Sequence, residues 1–393
     1  MNILHMSPYY PSLYANHAGG ICMGKEIESL RKNNNVFILT FLASDADKRL
    51  VTTNEDKDCY FVKIGKWNRI LHVLSSPLFP AYFASRTSMR YALKLIYCIK
   101  KHKIEAIHME YTSMGQYIWL VKKFFPHIKI CLVEHDVTIQ SYERKIALQT
   151  GLLRWYYIWE WRKIRKYEGG YCRSADAVLA LNDKDKKLLE QHYDVKNVYV
   201  MAPYCGFDDK ELAHIVRSGE KEYGNICFLG QMGRKENYMA AYRLINICQK
   251  VKRVIPELRV YIIGNQPPKE LLNKQNDYIT VTGFVDDVDV YLKRAQLGVF
   301  PLTLGAGIKS KVLRSMALGI PIVTSKVGAE GIDEDGVVIS IAETDEDYIK
   351  LIIDIISSPS KCQNLSDESM DYYLNHFAWS RSDKLLNDIY QER

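Results

Sequence analysis

A pair of lysines beside a glycine loop is the part of this chain best equipped for chemistry. Residues 299–332 read VFPLTLGAGIKSKVLRSMALGIPIVTSKVGAEGI. A short apolar strand ends at Pro301, a loop carries Gly305 and Gly307, and a helix is predicted over 310–318 with Lys309 and Lys311 at its entrance. Gly319 closes that helix, Pro321 follows where a helix cannot continue, and a β-branched strand is predicted over 320–324. Backbone N–H groups of such a loop can approach an anion, and the helix N-terminus adds partial positive charge, so a phosphate is the natural guest. The spacing leaves a second reading open, because tight packing of a strand on a helix also needs glycine.

Three further places put reactive or anion-binding residue types where strands end. A strand over 128–133 runs into Glu134-His135-Asp136, and one over 104–110 ends in Glu110; open α/β sheets bind ligands just past such carboxyl ends. The segment SPYYPSLYANHAGG ends in Gly19 and Gly20 before a helix predicted over 23–32, and a plain tight turn explains it equally well. Gly230-Gln-Met-Gly233 precedes Arg234 and Lys235 at another predicted helix entrance, and Gly264 follows a strand over 258–263. Asp287-Val-Asp289 has the look of a metal-binding D-x-D. It is read instead as an N-cap, with Asp286 or Asp287 opening a helix over 288–294.

The elements that must position these residues alternate strand and helix along the chain, as in open parallel sheets. At 393 residues the chain is long enough for two ordinary domains. Its 47% hydrophobic and 25% charged residues are those of a globular protein, and no apolar run reaches the roughly 18 residues of a membrane span. MNILHMSPYYP breaks at proline after a strand-length run, unlike a signal peptide, so a cytoplasmic protein is expected. The nine cysteines show no C-x-x-C pair and no zinc spacing. A net charge of +7 suits an anionic ligand or a membrane surface, and no nucleic-acid motif accompanies it. Stretches 66–103 and 152–168 (LLRWYYIWEWRKIRKYE) mix aromatics with arginine and lysine, which fits either docking on anionic lipid at the inner face of a membrane or aromatics turned to the core. No G-x-G-x-x-G follows the first strand, which argues against a simple dinucleotide dehydrogenase.

In its order of parts the chain resembles the GT-B glycosyltransferases of family 4. The resemblance is carried by Pro301, Gly305 and Gly307, KVLRSMA at 311–317, GIPIVTS at 319–325 and GAEGI at 328–332. ADAVLALNDKDKKLL at 175–189 and PYCGFD at 203–208 match the family's A-D-x-V and P-N-G-V-D stretches, and NHFAWSRSDKLLNDIY at 375–390 its terminal helix. It implies an α/β fold of two Rossmann-like domains facing across a cleft. The expected division is an acceptor domain over 1–205, a donor domain over 206–374, and a terminal helix over 375–393 packing back on the first. The implied activity is transfer of a sugar, with retention, from a nucleotide diphosphate sugar to a glycan or lipid-linked acceptor, with no cofactor and no metal. The implied catalytic group is His135 with Lys309 and Lys311. Donor contacts fall on Gly19, Gly20, Gly230, Arg234, Lys235, Gly264, Phe284, Val285, Gly305, Gly307, Ile308, Ser310, Arg314 and Glu330, and the acceptor side on Glu110, Glu134 and Asp136. The chain departs from the family at four positions. Ala306 and Arg314 stand where it carries two glutamates, the second on the ribose, and Gln231 and Glu236 where it carries an arginine and a lysine on the diphosphate. A guanidinium has only donors, so Arg314 cannot accept from ribose hydroxyls. Either Arg314 turns to a phosphate, or donor binding is lost and the protein is an inactive partner subunit; an epimerase on the same fold is a further alternative.

Overall fold

The computed structural model describes residues 1–15, 17–42, 58–75, 77–209, 212 and 221–391. Position 16 of the first glycine segment, position 76 of the first basic aromatic stretch and positions 392–393 of the terminal helix lie outside the described residues. The chain forms two compact units, Met1–Tyr204 with Arg381–Arg393, and Cys205–Ser380.

The first unit is built on strands β1 (Asn2–Ser7), β2 (Asn35–Leu42), β3 (Cys59–Lys63), β4 (Ala106–Glu110), β5 (Lys129–Glu134), β6 (Ala177–Ala180) and β7 (Val198–Val200). They pair in parallel in the order β3-β2-β1-β4-β5-β6-β7. Ile3, Leu4 and Met6 are fully buried, as expected of a strand covered on both faces. One pairing in this interior is unusual: His5 lies opposite His108. The second unit repeats the plan with β8 (Asn225–Leu229), β9 (Arg259–Ile263), β10 (Ile279–Gly283), β11 (Leu297–Phe300), β12 (Ile322–Thr324) and β13 (Ser340–Ile341). Its parallel order is β10-β9-β8-β11-β12-β13. In each sheet the strand order reverses once beside the unit's first strand, between β1 and β4 and between β8 and β11. Helices that bear on the site are α1 (Ala18–Arg31), α2 (Lys66–Ser75), α3 (Thr138–Leu148), α4 (Gly151–Ser174), α5 (Lys235–Val251), α6 (Ser310–Ala317) and α7 (Trp379–Gln391).

Three local expectations change. Gly19 and Gly20 lie inside the first turn of α1 rather than in a loop before it, because His17 caps the helix and its ring accepts from Gly20 N–H at 3.0 Å. A Cβ on Gly19 would come within 2.0 Å of the Tyr111 hydroxyl, so close packing is what this glycine allows. The helix expected from Asn375 is interrupted: one helix ends at Phe377, Ala378 is extended, and α7 starts at Trp379. Asp209 carboxylate oxygens accept from Trp379 and Ser380 N–H at 3.1 Å each, which supplies α7 with the cap that its own sequence lacks. The helix predicted over 288–294 begins at Asp289 with Val288 as N-cap, while Asp287 accepts from Asp289 N–H at 2.8 Å. Asp287 therefore serves the turn without being the N-cap residue expected from the sequence.

Gly264 is the tightest backbone approach at the strand ends of the second unit. Its φ is +146°, and a Cβ there would sit 1.7 Å from the Gly230 carbonyl oxygen. Gly264→Ala is expected to destabilise the protein by roughly 2 kcal/mol or more, since strained φ and a backbone clash add. Chemical denaturation followed by circular dichroism measures it, and a loss under about 0.5 kcal/mol would show that the two loops separate freely.

Candidate active site

In the second unit, the residues singled out for donor contact collect at the carboxyl ends of neighbouring strands. Gly230 follows β8, Gly264 follows β9, Phe284 and Val285 follow β10, the loop with Gly305 and Gly307 follows β11, and Glu330 lies after β12. Two of these loops are stitched together, with Gly230 N–H donating to Ile263 O and Met232 N–H to Asn265 O, both at 2.9 Å. Gly305 and Gly307 have φ of +117° and +66°, values that side chains resist, so the loop after β11 depends on them. Ile308 and Ser310 are half-buried at the entrance of α6.

Lys309 is buried here and Lys311 half-buried, rather than displayed. Lys309 is the N-cap residue of α6, donates to the Gly307 carbonyl and forms an ion pair with Glu330 at 3.5 Å. Lys311 donates to the Asn237 side-chain carbonyl, lies 5.4 Å from the Phe228 ring centre, and has no carboxylate within ion-pair distance among the described residues. Burial, with Lys309 as a second cation, pulls its pKa down to about 7. Asn237, at the start of α5, also donates to Gln231 O at 2.8 Å, so one amide joins the β8 loop to Lys311.

Two of the four departures from the family pattern, Glu236 and Arg314, have charged structural partners. Arg234 is exposed and paired with Glu236 at 2.6 Å; Lys235 is exposed too. The expectation that Arg314 turns to a phosphate is corrected. Its guanidinium donates to Asp289 at 2.7 and 3.3 Å and to Cys205 O at 3.0 Å, over the Phe207 ring. Arg314 thus anchors the segment 205–207 on the helix Asp289–Arg294, with Gly206 (φ +98°) leaving it room. Phe284, 71% exposed after the left-handed Gly283, is a free-standing ring at the sheet's edge.

In the first unit His135 is held on two sides just past β5. Its Nε2 donates to Glu110 at 2.8 Å, and its ring stacks on Tyr111 with centres 3.8 Å apart and planes at 3°. Tyr111 itself has φ +68° and ψ 142°, a strained conformation for a bulky residue of the kind that clusters at working sites. Glu110, expected on the acceptor side, is instead fully buried among His5, His108 and His135. Burial alone would raise its pKa; the hydrogen bonds of His108, His135 and His5 overturn that and hold it well below the usual carboxylate range. Glu134 is corrected in the same sense. It is fully buried, bonded to the Thr112 hydroxyl and beside Cys172, and burial next to Glu168 raises its pKa, so it is an interior group. Glu168 caps α3 by accepting from Thr138 N–H at 2.8 Å and Ile139 N–H at 3.3 Å. Asp136 is half-buried next to His135.

The sequence does not single out His5, Glu26, His108, Tyr111, Asn237 and Tyr390, which meet these candidate groups or their partners. The available signal was His108-x-Glu110 in an apolar strand, since residues two apart share a face. Both basic aromatic stretches divide between the two readings. Tyr91, Phe83 and Tyr167 pack on the core, whereas Trp67 (76%), Leu71, Leu74 and Leu78 around α2 and Leu152 (89%), Trp155 (69%) and Trp159 on α4 are exposed. The strands of chain carrying them touch, because Lys163 of α4 donates to Pro77 O and Phe79 O at 3.2 and 3.0 Å. Among the described residues no helix is long and apolar enough to cross a membrane.

Two Rossmann-like units with parallel sheets, each carrying its candidate residues at the strand ends, define the GT-B class. Residues 30–211 match the family model described as Glycosyltransferase Family 4, and residues 224–358 that of Glycosyl transferases group 1. The chain belongs to these group 1, family 4 glycosyltransferases and is a transferase enzyme. No curated protein sequence matches it significantly. Solved structures with the same fold include sucrose-phosphate synthase from Thermosynechococcus elongatus (13% identity, TM-score 0.72, covering 100% of this chain and 99% of that one). HepE of Anabaena in complex with UDP is similar at 12% identity and TM-score 0.71, covering 100% of both chains. A variant of S. aureus TarM, in complex with fondaparinux, alpha-GlcNAc-glycerol and UDP, is similar at 10% identity and TM-score 0.65, covering 98% and 99%.

The lysine pKa carries a stability consequence. Folded Lys311 titrates at about 7 against 10.5 when free. Between those values the unfolded chain holds the extra proton, so stability rises with pH across that window, and below about pH 7 the full cost of a buried cation remains. Lys311→Met is therefore expected to raise the melting temperature most near pH 7 and below, with the gain shrinking toward pH 10. Melting curves across about pH 6 to 10 check this; a gain independent of pH would mean that the amine is not desolvated.

Proposed function

We propose that this enzyme transfers a sugar from a nucleotide diphosphate sugar to an acceptor hydroxyl with retention and without a metal, and that the acceptor is a lipid-linked or polysaccharide glycan in surface assembly. The observation that carries the reading is Lys311: a buried amine below glycine loops at the strand ends, without a carboxylate at ion-pair distance. A diphosphate arriving there would supply the missing countercharge and draw a proton onto the amine. Loop N–H groups, Lys309 and Lys311 then stabilise the charge that grows on the departing diphosphate, which lowers the barrier without a pair of carboxylates. The exposed Phe284 ring offers a stacking surface for the base, with Val285 beside it. The complexes of HepE with UDP and with UDP-glucose, and of TarM with UDP, support a uridine nucleotide as the first to try. His135, with Nε2 occupied by Glu110, keeps Nδ1 as the atom for a sugar or acceptor hydroxyl.

The first unit supplies the membrane side of this reading. Trp67, Trp155 and Trp159 with their leucines are exposed, and Arg154, Arg162, Arg165 and Lys166 are exposed on the same α4. Aromatics and cations together suit the interface of an anionic bilayer, on the cytoplasmic face. A second reading, an inactive partner subunit, draws on Arg234 being tied to Glu236 and Arg314 to Asp289, which leaves neither for a diphosphate.

A panel of UDP, GDP, ADP, CDP and their sugar conjugates decides between them by thermal shift. At 100 times its dissociation constant one ligand should stabilise by about 2.7 kcal/mol, and Lys309→Ala/Lys311→Ala should lose most of that. No shift with any nucleotide, or an undiminished shift in the double variant, would overturn the donor site. For the membrane face, the protein should sediment with vesicles containing anionic lipid and Trp67→Ala/Trp155→Ala/Trp159→Ala should not; equal sedimentation of both removes that part of the proposal.

A further inference from the structure

The interior of the first unit holds more charge than its fold needs. Glu110, which grips His135, also meets His5 Nε2 at 2.9 Å and His108 Nε2 at 3.3 Å. His108 shares that nitrogen with Glu26 of α1 at 2.9 Å, and through Nδ1 it meets the Tyr390 hydroxyl of α7 at 2.7 Å. All of these except His135 are fully or almost fully buried. Burying ionisable groups in an apolar sheet costs several kcal/mol apiece before pairing, and apolar residues of similar size would fill the same space. The neighbouring strand positions are filled in that apolar way, by Ile3, Leu4, Met6, Ile107 and Met109.

Resting on the reading of His135 as an active-site group, we propose that Tyr390, His108 and Glu110 form a relay that positions His135: it decides which nitrogen bears a proton and how firmly, and so ties the reactive end of the first unit to the last helix of the chain. His108, donating from both nitrogens, is the cation of the relay and Glu110 its anion. Tyr390, Cys131, Glu110 and Glu26 raise the pKa of His108 well above its ordinary value against the opposing effect of burial. Burial and the charge of Glu110 keep Glu26 protonated. His5 is neutral, because burial outweighs Glu110; its Nδ1 has no hydrogen-bond partner among the described residues, as an unprotonated nitrogen can tolerate. Glu110, its negative charge largely answered by His108, engages His135 through Nε2 alone.

Other charges reach this cluster from each side. Arg31 of α1 acts on His5, and Cys131 of β5 on His108 and Tyr390. Around His135 stand Asp136, the Tyr111 ring and, against Tyr111, Tyr9 of the loop after β1. None of these changes in the variants below, so the relay is what they test.

Tyr390→Phe removes the acceptor of His108 Nδ1–H, which makes the buried cation unfavourable. Glu110 then loses its main countercharge, and His135 becomes the partner that must supply it. Imidazole nitrogen NMR of the full chain should show His135 taking up its proton at a pH higher by on the order of half to one unit in Tyr390→Phe, and at least as much in His108→Gln. The pH profile of donor-dependent transfer should move in the same direction. An unmoved His135 titration in folded variants overturns the relay. So does a neutral His108 in the parent protein between about pH 6 and 8, an observation that needs no variant to fold. A His135→Phe protein with undiminished transfer would overturn the active-site reading of His135 instead, and leaves the titration result standing.

Discussion

Parallel pairing is the constraint on which this molecule depends. A parallel pair cannot be joined by a tight turn, so each connection leaves one end of the sheet and returns to the other across a face. Where the order of connection reverses, at β1/β4 and β8/β11, the loops from two adjacent strands part company. The gap between them is lined by strand ends, helix starts and little else, and it exists before any side chain is chosen. His135, Glu110 and Tyr111 crowd round the first of these gaps, and Gly230, the loop after β11 and the lysines round the second.

The two gaps are electrostatically unlike. In the first unit the charges are internally settled, cation against anion within one buried cluster, and what reaches outward is a histidine held on its face and on one nitrogen. In the second unit a lysine is desolvated without an acidic partner at close range, an arrangement that costs stability until something anionic arrives. Arginines that look like candidates for the same anion in the sequence are already matched: Arg234 by Glu236, Arg314 by Asp289. Position in a motif and availability of charge are separate properties, and here they separate.

Much of the architecture was legible because its signals are local. Apolar runs of strand length, glycines with positive φ, and a proline after a helix report on their own neighbourhood, and β8, β11 and α6 fall where those signals point. Less legible were features fixed by distant partners. The start of α1 depends on the His17 ring, and the break before Trp379 on Asp209, far away in sequence. Glu134 ends a strand, as an acceptor-side residue would, yet Thr112 and Cys172 close over it. His108 and Tyr390 are 282 positions apart, and nothing in either local pattern announces their contact. The division of the aromatics into core and surface followed the same logic: periodicity names a face, and tertiary packing decides what covers it.

The break at Ala378 lets the chain return to the unit in which it began. Residues from Arg381 onward belong with the first unit, so the second unit is, in chain order, an insertion into the first. Ser382 donates to Ala202 O, Lys32 pairs with Asp383, and Tyr390 reaches the centre of the sheet. During synthesis the chain emerges from its N-terminus, and domains ordinarily fold in that order. This first unit must wait: its sheet is made early, but Tyr390, which meets the buried His108, is made only after the whole second unit. The second unit, whose residues are contiguous, has everything it needs sooner. Birth order and completion order are therefore reversed: until α7 is made, the second unit is finished while the buried His108 of the first still lacks Tyr390.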